Sequence, residues 1–433
     1  MQQGDNGQSL MLGGVTREGK CAINLLTQLS LKASLHNRCI DPKINLRVDR
    51  NTPMDLYRLA TQLTKQGLGF PQYANDDVVI PGLISLGYSA EDARDYTVAA
   101  CWEFVIPGVG MDIPNIGAMP LAGVVSDCVR EELLSAETYA AFFEKVKERL
   151  ASRAVQIADG VKNLWMEPAP WQSVLMGDWT HDVSEGARYN NYGIHGTGFG
   201  DAVDQLAVIR DVVFAGKAGK EELLEALETD FQNHLPLKHL LRMKAPKLGR
   251  DEACEAIGNE LLAAFADALA PLVNERGGIF RAGTGSAMYY LWHADELPAL
   301  CNGHLRGERL PANFSPSLLL KDAGPLSVIR AMALPQVGRT INGGPLTLEL
   351  HDTVFRSEEG TEKVAQLVRS FILLGGHQMQ LNAVSRETLQ AAMDDPDAHR
   401  SLIVRVWGWS GHFVQLDRAY QEQILERVSY QSI

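Results

Sequence analysis

Apolar residues recur every three or four positions along several long segments of the chain, a spacing that places them on one face of a helix. The helices predicted in this way are 21–67, 137–159, 201–214, 218–229, 251–275, 361–374 and 417–427. Short apolar runs between turn-forming residues predict strands instead, at 10–12, 345–350 and 377–384. The pattern therefore predicts a chain in which helices and strands are mixed along the whole length.

Residues 404–416 combine β-branched residues, large aromatic side chains and the two glycines Gly408 and Gly411. This composition predicts a buried strand that turns sharply at a glycine, since a hairpin on the surface would be more polar. Taken alone, the stretch is also explained by an ordinary tight turn at the end of a strand.

A second apolar stretch, 96–108, contains Cys101 and, two residues later, Glu103, before it breaks at Pro107 and Gly108. In an extended chain, residues two apart point to the same face, so the thiol and the carboxyl are expected on one side. A lone buried cysteine is usually a small hydrophobic residue. A carboxylate beside it is unexpected, because an unpaired buried charge is costly, and the pair is therefore a candidate for catalysis.

Three further polar residues are candidates for binding a substrate. Asp112 and Asn115 follow the Cys101 stretch in a predicted loop, although turn formation explains them equally well. His195 lies in the glycine-rich run 188–200, which lacks the lysine of a P-loop and the full dinucleotide fingerprint. A hydrogen-bonded structural histidine is the alternative for His195.

Composition narrows the class of protein. The chain has 433 residues, of which 45% are hydrophobic and 21% charged, as in globular proteins, and its net charge is −13. An acidic chain is a poor match for nucleic acids or anionic membranes, so a small-molecule substrate is expected. Without a long apolar run or a signal peptide, the sequence predicts a cytoplasmic protein. Its six scattered cysteines suggest neither a disulfide framework nor a zinc or iron–sulfur site.

The pattern Arg-Val-x-Gly-aromatic-Ser-x-x-Phe at 405–413 resembles the radical loop of the glycyl radical enzymes, with Gly408 at the position of the radical. Cys101-x-Glu103 resembles the thiyl-forming loop of the eliminase and dehydratase branch of that family, which is related to pyruvate formate-lyase. Segments that include 67–77, 188–200, 303–317 and 324–325 also resemble the family.

The resemblance implies an α/β fold: the C-terminal part of a ten-stranded α/β barrel, with the Cys and Gly loops meeting inside and helices outside. It divides the chain into 1–300, the barrel part with the thiyl loop, and 301–433, the glycine radical domain. The family carries a long portion ahead of residue 1. A fragment, a split-gene subunit or a truncated gene model is therefore expected.

The resemblance also implies a chemistry. Gly408 carries a stable radical, installed after translation by a separate radical S-adenosylmethionine activating enzyme, and no cofactor is bound. Glycine suits this role because a flattened radical centre at Cα has no room for a Cβ. Cys101 becomes the working thiyl radical and Glu103 the general base or acid, while Asp112, Asn115 and His195 would contact a small-molecule substrate.

Several interpretations of the reaction stay open. Cys-x-Glu suits a dehydratase-like lyase that cleaves a C–O, C–N or C–S bond of a small polar alcohol, whereas Ala100 stands where formate-producing acyltransferases have a second cysteine. Decarboxylases of the family also use Cys and Glu, so decarboxylase activity is an alternative, and formate C-acetyltransferase-type activity is the runner-up. A homodimer is expected, and a non-catalytic chain that completes the barrel of another, or one that lacks an N-terminal subunit, remains an alternative.

Overall fold

The computed structural model describes residues 9–176, 181–427, 429–431 and 433. The strands in these ranges are β1 (Ser9–Gly13), β2 (Lys43–Val48), β3 (Gln72–Asn75), β4 (Thr97–Ala99), β5 (Glu103–Val105), β6 (Ile113–Pro120), β7 (Tyr192–Thr197), β8 (Phe280–Gly283), β9 (Leu346–Leu350), β10 (Gln378–Ala383), β11 (Ile403–Arg405), β12 (Ser410–His412) and β13 (Ser429–Tyr430).

The helices in the same ranges are α1 (Leu25–Asn37), α2 (Met54–Lys65), α3 (Asp76–Ser85), α4 (Ala90–Arg94), α5 (Leu121–Glu132), α6 (Tyr139–Gly160), α7 (Pro170–Leu175), α8 (Phe199–Val208), α9 (Lys220–Glu228), α10 (Leu235–His239), α11 (Ala253–Leu269), α12 (Tyr289–Glu296), α13 (Pro325–Met332), α14 (Glu358–Leu373), α15 (Arg386–Asp394) and α16 (Arg418–Glu426). Within the described residues, no helix has both the length and the apolar character needed to cross a bilayer.

The larger sheet has six strands in the order β1-β2-β3-β10-β9-β13. Neighbours run parallel except at the centre, where β3 and β10 are antiparallel. Strands that are adjacent here, such as β3 and β10, are far apart in sequence, so the sheet brings the two ends of the chain together.

The two faces of this sheet differ in polarity because side chains alternate along each strand. Apolar residues such as Ile44, Leu46 and Leu381 face outward into a core that also contains residues of α2 and α14. The inward face is polar and yet buried; its members are Lys43, Asn45, Arg47, Gln72, Thr347, Glu349, Gln378, Gln380 and Asn382. Buried polar groups require partners, and the hairpins described next supply many of them.

A smaller parallel sheet has the order β6-β7-β8, with α5, α6 and α11 packed on it. Two short antiparallel hairpins complete the interior, β4 with β5 and β11 with β12. The second hairpin lies in its own apolar cluster with Trp102, Tyr290, Trp407 and Trp409.

Most predicted elements are confirmed: the strands at 345–350 and 377–384 are β9 and β10, and the helices at 137–159, 251–275, 361–374 and 417–427 are α6, α11, α14 and α16. The strand predicted near residue 10 is β1, while residues 6–8 of that stretch lie outside the described ranges. The continuous helix predicted over 21–67 is wrong. Lys43–Val48 between α1 and α2 is a strand whose apolar residues alternate with period two, and this pattern was hidden between two helical segments.

Candidate active site

Cys101 lies at the tip of the β4–β5 hairpin. Ala99 pairs with Glu103 across the hairpin, and the chain reverses over residues 100–102, where Ala100 adopts a left-handed φ of 45°. The expectation of an extended strand through Cys101 and Glu103 is therefore wrong. A reversal places the thiol at the apex, where it is 5% exposed, instead of on one side of a strand with the carboxyl.

Glu103 folds back under this tip. Its Oε2 accepts hydrogen bonds from the backbone N–H of Cys101 at 3.0 Å and of Trp102 at 2.9 Å. Its Oε1 lies 3.5 Å from Nε2 of His195, and both side chains are fully buried. The carboxylate thus fixes the turn that presents the thiol, and it approaches His195 through its second oxygen.

Burial by itself raises the pKa of Glu103, but the contacts with His195 and the backbone N–H donors outweigh burial and lower the pKa below its usual value. Hydrogen bonds to the charged form stabilise it, so Glu103 is a carboxylate at neutral pH and is able to accept a proton.

Gly408 lies at the tip of the β11–β12 hairpin, closed by a hydrogen bond of 2.9 Å from Val406 N–H to the Trp409 carbonyl. A Cβ placed on Gly408 would overlap Cβ of Cys101 and lie 2.5 Å from the ring of Trp102. The two hairpin tips are therefore in direct contact, and one Cα hydrogen of Gly408 points at the Cys101 side chain. The expectation that the two loops meet inside the fold is confirmed.

Gly411 has a different reason to be glycine. A Cβ there would lie 2.5 Å from the ring of Trp409. Trp409 in turn packs edge-to-face against Trp407, with ring centroids 5.5 Å apart. Of the two glycines that the sequence left open, Gly408 faces the Cys101 side chain and Gly411 accommodates an aromatic side chain.

Buried side chains hold the backbone of the glycine hairpin in place. Asn313 and Gln380 each donate a hydrogen bond of 2.6 Å from a side-chain amide to the Trp407 carbonyl. Arg427 donates to the carbonyl of Arg405 at 2.8 Å and to that of Val406. The conformation of the tip is thus set from outside the hairpin.

Arg405 is itself fully buried at the base of the tip. Its guanidinium donates to Oε1 of Gln380 at 2.9 Å and Oε1 of Gln72 at 3.1 Å, and burial lowers the pKa of Arg405 to about 10. It thereby ties the glycine hairpin to strands β3 and β10 of the larger sheet.

Lys43 contacts both hairpins. Its Nζ donates to the carbonyls of Cys101 and Gly408 at 3.2 Å each and also to the carbonyl of Ala100. The side chain is 4% exposed. It is aimed inward because it alternates with the outward-facing Ile44 on β2.

The three residues predicted to contact a substrate lie in different surroundings. His195 on β7 lies beside Glu103, so it belongs to the site geometry. The Asp112 carboxylate accepts hydrogen bonds of 2.7 Å from Tyr88 and from the Asn191 N–H and lies 3.4 Å from Arg281, contacts that support the structure. Asn115 is exposed on β6, which is an edge strand. The substrate contacts predicted for Asp112 and Asn115 therefore stay predictions.

Sequence reasoning missed Lys43 and Arg281, and it assigned no role to Arg405 of the 405–413 motif. Arg281 donates to the carbonyl of Phe104 at 2.9 Å and so anchors β5 directly after Glu103. The signal for Lys43 was present as the alternation Lys-Ile-Asn-Leu-Arg-Val at 43–48, in which every second residue is apolar. Charged residues on the inner face of such a strand point to a site when the outer face is fully apolar.

Comparison with known proteins places the chain in a family. The Pyruvate formate lyase-like family model matches residues 1–292, and the Glycine radical model matches residues 311–414. The chain is 27% identical to "Trans-4-hydroxy-L-proline dehydratase" of Clostridioides difficile, across 96% of this chain and 56% of the relative. It is also 27% identical to "Isethionate sulfite-lyase" of Oleidesulfovibrio alaskensis, across 98% of this chain and 55% of the relative.

Among solved structures, the glycerol-bound form of the B12-independent glycerol dehydratase from Clostridium butyricum superimposes with a TM-score of 0.91 at 26% identity, covering 98% of this chain and 57% of that one. The chain thus spans little more than half the length of these relatives. The matched family models, the shared barrel fold and the two touching hairpins agree: this chain belongs to the pyruvate formate lyase-like family of glycyl radical enzymes.

Proposed function

We propose that this chain carries the radical-storing and hydrogen-abstracting residues of a dehydratase-like radical lyase. The reaction is cleavage of a C–O bond, or of a C–N or C–S bond, in a small polar alcohol. The observation that carries the proposal is the contact between Gly408 and Cys101, in which a Cα hydrogen points at the thiol side chain. Glu103, hydrogen-bonded to the backbone N–H groups of Cys101 and Trp102, supplies the base.

We propose the following steps. A radical SAM activating enzyme removes one hydrogen atom from Cα of Gly408. The glycyl radical then takes the hydrogen atom of the Cys101 thiol, which leaves a thiyl radical on sulfur. The thiyl abstracts hydrogen from a substrate carbon, Glu103 accepts the proton of the hydroxyl on that carbon, and the neighbouring group leaves. The product radical finally takes the hydrogen atom back from the Cys101 thiol.

His195 supports the proton transfer in this scheme. Its Nε2 is 3.5 Å from the Glu103 carboxylate, close enough for a proton taken from the substrate hydroxyl to reach the imidazole and the leaving group with a small movement. The same pair suits loss of water, an amine or sulfite, so the leaving group is a property of the substrate.

Two observations favour elimination over acyl transfer. Ala100, which replaces the second cysteine of formate-producing acyltransferases, has no group that could carry an acyl intermediate. The relatives compared above are named as dehydratases and a sulfite-lyase. Decarboxylation by the same Cys and Glu pair is the second candidate.

The remaining proposals concern assembly. We place the boundary between the barrel part and the glycine radical domain near residue 300. β6 is an edge strand of its sheet, and a further subunit, or a further segment of the same protein, would complete the barrel by pairing there. A homodimer is the default for the assembled enzyme.

Electron paramagnetic resonance after anaerobic activation tests the proposal. We expect a doublet in the wild-type protein, produced with any subunit encoded beside it, and its loss in Gly408→Ala. On exposure to air, mass spectrometry should find cleavage at Gly408 and an intact bond at Gly411. A radical located at another residue, or a doublet that persists in Gly408→Ala, would contradict the proposal.

A further inference from the structure

Lys43 reaches both hairpin tips from a strand that belongs to neither. Its ammonium has three N–H donors, and three backbone carbonyls accept from it: Ala100 and Cys101 on one tip and Gly408 on the other. The contacts with these carbonyls offset part of the cost of burying the charge. The contacts with both hairpins exist together only while the two tips are in contact.

The neighbouring donors differ in this respect. Gln378 donates to the Trp102 carbonyl on the β4–β5 hairpin at 2.9 Å. Gln380 and Asn313 donate to the Trp407 carbonyl on the glycine hairpin. Each fixes one tip to the sheet or to an adjoining loop, whereas the Lys43 contacts span the junction between the tips.

We propose that Lys43 is a positioning residue for the hydrogen-atom exchange between Cys101 and Gly408. This inference rests on the proposed function. In the exchange, the S–H bond of Cys101 breaks and a Cα–H bond forms at Gly408, while the unpaired electron moves to sulfur; no charge is transferred. Lys43 holds the two backbones in register so that sulfur and Cα stay at transfer distance.

The Lys43 contact has an electronic consequence as well. The carbonyl of Gly408 is one of the two groups that delocalise a radical at its Cα. A cation on that oxygen draws spin density from Cα toward the carbonyl. Removal of the cation is therefore expected to raise spin density on Cα and to widen the doublet splitting from the remaining Cα hydrogen.

Exchange with solvent measures the transfer directly. In D₂O the Cys101 thiol becomes S–D, and reversible transfer to Gly408 replaces the Cα hydrogen, so that the wild-type doublet collapses to a singlet. In Lys43→Met we expect this collapse to slow by about 100-fold, because a displacement of about 1 Å in a reacting pair costs that much. Lys43→Arg, which keeps a cation and its donors, should recover part of the rate.

A matched control removes a different buried lysine. Lys247 is 1% exposed, and its Nζ donates to the backbone carbonyls of Leu241 and Asn302, which lie on neither hairpin. Lys247→Met should lower thermal stability and leave the rate of doublet collapse unchanged. The comparison separates positioning from a general loss of stability.

A second measurement needs no radical. In the protein before activation, alkylation of Cys101 followed by peptide mass spectrometry reports how firmly the tips are held together. Lys43→Met and Lys43→Gln should speed alkylation of Cys101 at least about tenfold relative to the wild type and Lys247→Met. Buried Cys128 serves as the internal reference for unfolding.

The outcomes distinguish the two proposals. A wild-type doublet that never collapses in D₂O contradicts the role of Cys101, and a wild type without any radical contradicts the proposed function. Wild-type rates of both collapse and alkylation in the Lys43 variants overturn the positioning role. Faster alkylation with slowed collapse supports it.

Discussion

Replacement of Glu103 by Gln separates its structural part from its proton transfer. The amide retains one oxygen for the N–H donors of Cys101 and Trp102, so the turn keeps its two hydrogen bonds. The substitution removes the negative charge of the side chain, and with it the ability to accept a proton. The variant therefore tests the base at the smallest structural cost.

The structural cost is small enough to estimate. A hydrogen bond to a charged group is worth about 1.5–3 kcal/mol and a neutral one about 0.5–1.5 kcal/mol, so two bonds lose about 2–3 kcal/mol in total. For a chain of this size the entropy of unfolding is about 0.9 kcal/mol per degree. The midpoint of thermal unfolding should fall by only about 2–3 °C, and the hairpin should stay folded.

The catalytic cost is expected to be larger. A positioned general base contributes about 10²–10⁴ in rate, so turnover per radical should fall at least about 100-fold in Glu103→Gln. The assay is product formation under anaerobic conditions, normalised to the spin count, with glycerol, trans-4-hydroxy-L-proline and isethionate as substrates. The variant and the wild-type protein are compared on whichever of these compounds the wild-type protein turns over.

Two further variants serve as controls for this result. Cys101→Ser should abolish turnover and retain the doublet, since Gly408 is activated without the thiol. Asp112→Asn changes a buried carboxylate held by Tyr88 and Asn191 and should alter stability more than turnover per radical. If Glu103→Gln kept more than half of the wild-type turnover per radical while Cys101→Ser kept none, the role of Glu103 as base would be refuted.

Two stability predictions follow from other buried groups. Burial raises the pKa of Asp204 from 3.8 to about 7, although Lys247 lies 3.7 Å away. The folded state therefore holds a proton that the unfolded state releases between these pH values, and stability should fall by a few kcal/mol, on the order of 4, as pH rises from about 4 to 7. Denaturant unfolding of Asp204→Asn should show a much smaller slope over this window; an unchanged slope would assign the titration to another group. Gly285→Ala would push a methyl group into the ring of Trp102 and should lower the free energy of unfolding by about 1–3 kcal/mol. In a double-mutant cycle, Trp102→Val should remove at least about 1 kcal/mol of that cost. Additive effects in the cycle would show that the two residues are not in contact.

The sequence predicted much of the local structure because its signals are local. Periodicity fixed α6, α11, α14 and the alternating strands β9 and β10. The sequence motifs around Cys101 and Gly408 predicted the two loops that carry these residues. The same local reasoning failed at 43–48, where a strand of six residues lies between two helices, and at 101–103, where a reversal was interpreted as a continuous strand.

Sequence alone therefore determined the family pattern and most of the helices and strands, and it predicted Gly408, Cys101 and Glu103 as the candidates for the chemistry. The resemblance predicted that the two loops meet, but only the tertiary structure decided that they meet tip to tip, that Glu103 folds back onto the backbone of its own turn, and that Lys43 bridges both tips. The physical reason is that propensity and periodicity act over a few residues. Contacts between positions 43, 101 and 408 exist only when an antiparallel pairing of β3 with β10 joins the two ends of the chain in one sheet.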